Sequence, residues 1–128
     1  MSEPPRWEAS PADSDYGAAA RYLSLSMSDA ASSSVAAALK RGELVAHRAN
    51  DLLRSSGLPL LSTDDPEVAK DLKKVKKGTR LSPVLLVRGT LQGAGRALTV
   101  ADGYHRICAS YHLDSDAEVP CQIVDLPG

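Results

Sequence analysis

The string Ala101-Asp102-Gly103-Tyr104-His105-Arg106 constrains this chain more than any other segment. An apolar run, Leu98-Thr99-Val100, leads into it, and a stretch with helical character, Ile107-Cys108-Ala109-Ser110-Tyr111-His112-Leu113, follows. The chain therefore has to turn from a strand into a helix almost at once, and Gly103 is the residue that lets the backbone do so. A helix that starts this way presents unpaired backbone N–H groups and the positive end of its dipole, and both favour an anion. Arg106 adds a forked donor matched to phosphate or carboxylate. Asp102 and His105 are the candidate catalytic residues, able to handle a proton or to touch a metal. A plainer reading of the same residues is a tight turn at Gly103, a helix cap at Asp102, and a solvated His105 and Arg106.

The rest of the chain alternates helical periodicities with short apolar runs. Residues 1–14 are rich in Pro, Ser, Glu and Asp and read as a disordered arm, with Trp7 the one residue suited to docking on the body. From Asp15 the spacing of Tyr16, Ala20, Leu23 and Met27 predicts an amphipathic helix. Ser28 and Asp29 cap a second helix over 30–41, with Ala31, Val35 and Leu39 on one face and Gly42 as terminator. Val45, Ala49 and Leu52 predict a third over 43–55, ended by Gly57. Residues 15–57 thus form a three-helix extension packed against the core.

The core itself is expected over 58–126. It begins with a strand, Leu58-Pro59-Leu60-Leu61, and a helix from Pro66 to Lys77 closed by Gly78, with Asp64 or Asp65 as its cap. The strand Pro83 to Arg88, a glycine-rich hairpin loop from Gly89 to Arg96 and the strand Ala97 to Val100 lead to the string. A last strand, Val119-Pro120-Cys121-Gln122-Ile123-Val124, follows its helix. This order specifies an α/β (α+β) fold with a small mixed sheet of about four strands.

The segment from Leu58 to Leu126, with its Asp-Gly-Tyr-His-Arg box, resembles the ParB/sulfiredoxin-like superfamily (ParB-like nuclease domain). ParB proteins carry Gly-Glu-Arg-Arg at this strand-to-helix junction, sulfiredoxins carry Gly-Cys-His-Arg, and many ParB-like proteins carry Asp-Gly-His-His-Arg. The resemblance implies that Gly103, Tyr104, His105 and Arg106 hold the phosphates of a nucleotide, with magnesium as an accompanying ion. Relatives include nucleotide hydrolases, kinases of small hydroxyl substrates and nucleases. Tyr104 stands where sulfiredoxin has its catalytic cysteine and ParB its glutamate, which excludes sulfinic acid reduction and sets ParB-type hydrolysis aside. The chain stops at Gly128, so the helix-turn-helix domain of ParB is not expected.

Composition narrows the partners. Net charge is −1, so global electrostatics call for neither nucleic acid nor membrane. Locally, six basic residues and one acid, Asp71, lie between Lys70 and Arg80. Lys70, Lys73, Lys74 and Lys77 project opposite the apolar stripe of Val68, Leu72 and Val75. They form either a solvated face or a surface for a polyanion such as nucleic acid. Lys77 and Arg80 could also reach a phosphate at the box from the side. No apolar run reaches membrane-spanning length and no signal-peptide pattern opens the chain, so a cytoplasmic location is expected. Cys108 and Cys121 lack metal spacing and read as small buried hydrophobes. His105 and His112 are about 10.5 Å apart along one helix, too far to share an ion easily, so no metal site is expected.

Three readings of the function follow. The first is a domain that binds a nucleotide or other small phosphate ligand at the box, with phosphoryl transfer or hydrolysis as its open chemistry. The second is a non-catalytic module that binds nucleic acid or a protein through the lysine face. A box that has lost its activity and serves as a scaffold is a third. The decisive residue is Arg106: beside a bound anion it is functional, and buried in an ion pair with an acid of the C-terminal segment it is structural.

Overall fold

The computed structural model describes residues 4–89 and 98–126. Among them are five helices and four strands: α1 (Asp13–Leu23), α2 (Asp29–Arg41), β1 (Val45–Arg48), α3 (Ala49–Ser56), α4 (Pro66–Lys76), β2 (Val84–Arg88), β3 (Leu98–Asp102), α5 (Tyr104–Leu113) and β4 (Glu118–Asp125). The strands make one mixed sheet in the order β1-β4-β2-β3. β4 runs antiparallel to β1 and parallel to β2, while β2 and β3 are antiparallel. This is the α+β architecture with a four-stranded mixed sheet that the residue pattern specifies. The expected hairpin loop lies, apart from Gly89, outside the described residues.

Helices cover both faces of the sheet. Val84 and Leu86 of β2, with Val119 and Cys121 of β4, face α3, α4 and α5, where Leu52, Val68, Ile107 and Cys108 complete one core. Leu85 and Val87 face the other way, onto Ala19, Leu23, Val35 and Leu39 of α1 and α2. A strand buried on both faces reads as a continuous apolar run, which is why β2 is Val-Leu-Leu-Val. The polar Gln122 of β4 lies in the α1–α2 layer, and its amide is satisfied there. It accepts from the Tyr16 hydroxyl at 2.6 Å and donates to the Gly42 carbonyl at 2.8 Å.

Two expected elements take another form. The helix expected over 43–55 is split: residues Val45–Arg48 are the edge strand β1, and only Ala49–Ser56 are helical. Pairing of Val45 to Arg48 with Cys121 to Glu118 supplies backbone hydrogen bonds that an isolated helical turn there would not better, and Val45 stays 42% exposed. The extension is therefore two helices, a strand and a helix, and its strand belongs to the common sheet. The segment Leu58-Pro59-Leu60-Leu61, expected as a strand, joins no sheet among the described residues. Side chains of α5 take up its carbonyls instead: the Tyr104 hydroxyl donates to Pro59 and His112 Nε2 bonds Leu61 at 2.6 Å.

At the N-terminal end, Trp7 docks as expected. It makes a parallel bridge with Leu81, flanked by Glu8 N–H to the Leu81 carbonyl and Leu81 N–H to the Arg6 carbonyl, each 2.8 Å. α1 begins at Asp13, where the Asp15 carboxylate accepts from the Ala12 N–H at 2.9 Å. α4 starts on Asp65, whose carboxylate accepts from the N–H groups of Glu67 and Val68.

Candidate functional site

The site is built where β3 ends and α5 begins. The β2–β3 register shifts between Leu85 and Leu86, so that Leu85 pairs with Asp102 while Leu86 pairs with Val100. One extra β3 residue, Ala101, is inserted as a bulge. Without it Asp102 would alternate onto the same face as Val100. With it, both Ala101 and Asp102 point toward α1. Bulges near strand ends commonly re-aim a side chain in this way.

Gly103 then makes the turn with φ +111° and is itself the N-cap of α5, a position expected for Asp102 in the plainer reading. A Cβ there would lie 2.4 Å from Val84 Cγ1 and 2.7 Å from Val84 Cβ, so the residue must be glycine both for its dihedral and for its closeness to β2. Among the described residues no side chain caps α5. The intrahelical ladder starts with the Ile107 N–H on the Gly103 carbonyl, so the N–H groups of the first turn have no partner within the helix.

Asp102 and Arg106 do not point at solvent. Arg106 Nη2 donates to Asp102 at 2.8 Å and reaches the Pro83 carbonyl at 3.4 Å; Nη1 stands 3.9 Å from Asp15 of α1. The Arg106 and Asp102 side chains are each 17% exposed and Asp15 is 13% exposed. Arg106 Nε is buried and, among the described residues, lacks a hydrogen-bond partner. Burial pushes the Asp102 carboxyl above its ordinary range; the hydrogen bond and charge of Arg106 pull it back, and the neighbouring Asp15 pushes it up again. Arg106 thus ties β3, β2 and α1 together, through Asp102 of the box and Asp15 of α1 rather than through an acid of the C-terminal segment.

A cleft of about 180 Å³ opens between α4 and the start of α5. From α5 it is lined by His105 and Arg106 beside Gly103 and Asp102, and from α4 by Lys70 and Lys74 with Glu67 and Asp71. His105, 42% exposed, has Nε2 3.9 Å from the Asp65 carboxylate. Asp71 is 8% exposed, and burial raises its carboxyl, with Lys74, Arg106 and His105 opposing and Glu67 assisting. The fold therefore brings together Gly103, His105, Arg106, Asp102 and two of the four lysines. Tyr104 turns to the 58–61 segment, and Lys73, Lys77 and Arg80 lie outside the cleft.

Sequence reasoning missed Asp15 and Asp71. Asp15 was legible only as a helix start. Asp71, however, sits within the stripe of Val68, Leu72 and Val75, and an acid on an apolar stripe signals a buried partner. Cys108 and Cys121 are both buried in the core as expected, and burial pushes the Cys121 thiol up to about 11. Among the described residues no group of three or more His, Cys, Asp or Glu is placed to hold a metal ion, and no helix is long and apolar enough to cross a membrane.

No family model, curated protein or solved structure matches the chain.

Proposed function

We propose that the cleft between α4 and α5 binds a phosphate group, carried by a nucleotide or another small phosphorylated molecule. The observation that carries this reading is that Lys70 and Lys74 line the same cleft as the uncapped start of α5. Two ammonium groups, a histidine and the free amides of a helix N-terminus converge on a volume suited to a small oxyanion. The likeness of the box to the nucleotide-holding junction of ParB and sulfiredoxin proteins supports the same ligand class. Arg106 has another part in this reading. Held by Asp102 and Asp15, it positions the turn and lends its field to the cleft, while Lys70, Lys74 and His105 make the contacts.

Of the two candidate catalytic residues, Asp102 is bound to Arg106, which leaves His105 in the cleft lining as the candidate for proton transfer. The carboxylates of Glu67 and Asp71 also line the cleft, so the lysines and His105 have to outweigh them at the phosphate. Calorimetric titration with inorganic phosphate and with a nucleotide panel, with and without magnesium, tests the reading. Joint Lys70→Gln and Lys74→Gln substitution should weaken binding at least tenfold, the loss of one to two charged hydrogen bonds at about 1.5–3 kcal/mol each. A parent protein that binds none of these ligands at millimolar concentration removes the proposal.

A further inference from the structure

We infer that the outer surface of α4, together with Arg6 from the N-terminal segment, is a docking face for the phosphate backbone of duplex nucleic acid, separate from the cleft. The bridge between Trp7 and Leu81 brings a distant part of the chain to the end of α4. It sets the Arg6 guanidinium 3.9 Å from where a Cβ on Gly78 would lie. Arg6, Lys73, Lys76, Lys77 and Arg80 are each exposed; the i, i+3, i+4 spacing puts Lys73, Lys76 and Lys77 on one side of α4, and Arg6 stands at the Gly78 that follows it. Among the described residues none of these five is ion-paired. The acid interspersed with them in sequence, Asp71, is buried and turned to the cleft, so it does not neutralise the outer face.

Lysines at i and i+4, such as Lys73 and Lys77, repel one another on a free helix. A face that concentrates such charge, in a chain of net charge −1, is matched by a partner whose own charge is dense and regular. The chemistry of the face selects among polyanions. It is dominated by lysine, which meets phosphate as a point charge and does not read base edges in a forked manner. The one aromatic nearby, Trp7, is packed against the core, so the stacking platform that single strands require is missing among the described residues. Sequence-independent contact with a duplex backbone follows.

Fluorescence anisotropy of the full chain with a short labelled DNA duplex, at stepped salt, reads this directly. Binding should weaken steeply with salt, with a log–log slope of about −3 to −4.5 for five cations at about −0.9 per phosphate neutralised. Lys73→Glu with Lys77→Glu should lower affinity more than tenfold. Arg6→Glu alone should lower it several-fold and reduce the slope by about 1, an effect with no explanation unless the two segments form one surface. None of these residues lines the cleft, so phosphate titration of the same variants should be unchanged, and either proposal can fail alone. The inference is overturned by absence of duplex binding at low salt, or by an Arg6→Glu variant that behaves as the parent. Tighter binding to a single strand of equal length, to polyglutamate or to anionic vesicles overturns it equally, in favour of that partner.

Discussion

Gly103 shows how a single residue can be specified twice over. Its φ of +111° is a conformation that other residues adopt only under strain, and Val84 occupies the space a side chain would need. Gly103→Ala should therefore destabilise the protein by roughly 2–5 kcal/mol, combining backbone strain with overpacking. Val84→Ala in the same chain should restore only part of that loss in urea denaturation, because it removes the Cγ1 contact at 2.4 Å and leaves the Cβ contact at 2.7 Å. Full restoration would mean that neither the dihedral nor the remaining Cβ contact carries a cost. The glycine was legible in the sequence from its place between a strand and a helix. The partner of Arg106 was not, because the same Asp–x–x–x–Arg spacing serves a solvated pair and a buried clamp equally well. Arg106→Ala should cost about 2–3 kcal/mol of folding stability, less than a fully enclosed pair because both side chains keep 17% exposure. An Arg106→Ala protein as stable as the parent, but deficient in phosphate binding, would return Arg106 to the ligand.

At the level of elements, the structure divides cleanly into segments whose signals were local and those whose signals were not. α2 with its Ser28 cap, α4 with Asp65 and Pro66, and the apolar run of β2 each carry their own instructions, and each stands within a residue or two of expectation. β1 does not. Its Val45 falls in line with Ala49 and Leu52 as a helical stripe, and only the distant strand β4 supplies the edge that makes an extended backbone preferable. The 58–61 segment fails for the converse reason. It has strand-like composition but, among the described residues, no sheet edge to join, and α5 satisfies its carbonyls through Tyr104 and His112. That lacing matters to the site, since the same segment runs on to Asp65, which caps α4 and faces His105. Tyr104→Phe should cost about 0.5–1.5 kcal/mol, the net worth of one hydrogen bond. Faster amide exchange should appear over residues 58–62 and spare the sheet; exchange unchanged there would show that the tyrosine packs without holding the loop.

Considered as a whole, the molecule is one sheet with a helical layer on each face, and the acids that surround Arg106 come from three different parts of it. Asp15 belongs to the α1–α2 layer, Asp71 to the α3–α4–α5 layer, and Asp102 to the sheet between them. Folding is what brings these carboxylates out of water and near one another, and burial raises both Asp71 and Asp102. A carboxyl with a raised folded-state pKa holds its proton more tightly folded than unfolded. Its contribution is therefore complete below the ordinary aspartate pKa of about 3.9 and is lost as pH rises through the folded value. The effect opposes the usual acid weakening of a folded protein, and Asp71→Asn isolates it. The amide keeps the shape, and Asp71 makes no ion pair among the described residues, whereas replacing Asp102 would orphan Arg106. In urea titrations the variant should gain on the parent as pH rises from the ordinary aspartate pKa through the raised folded value and keep that advantage above it, with the two nearly equal in stability at the acid end. A constant difference across that range would mean that Lys74, Arg106 and His105 compensate the buried charge in full. The cleft would then be electrostatically balanced before any ligand enters it.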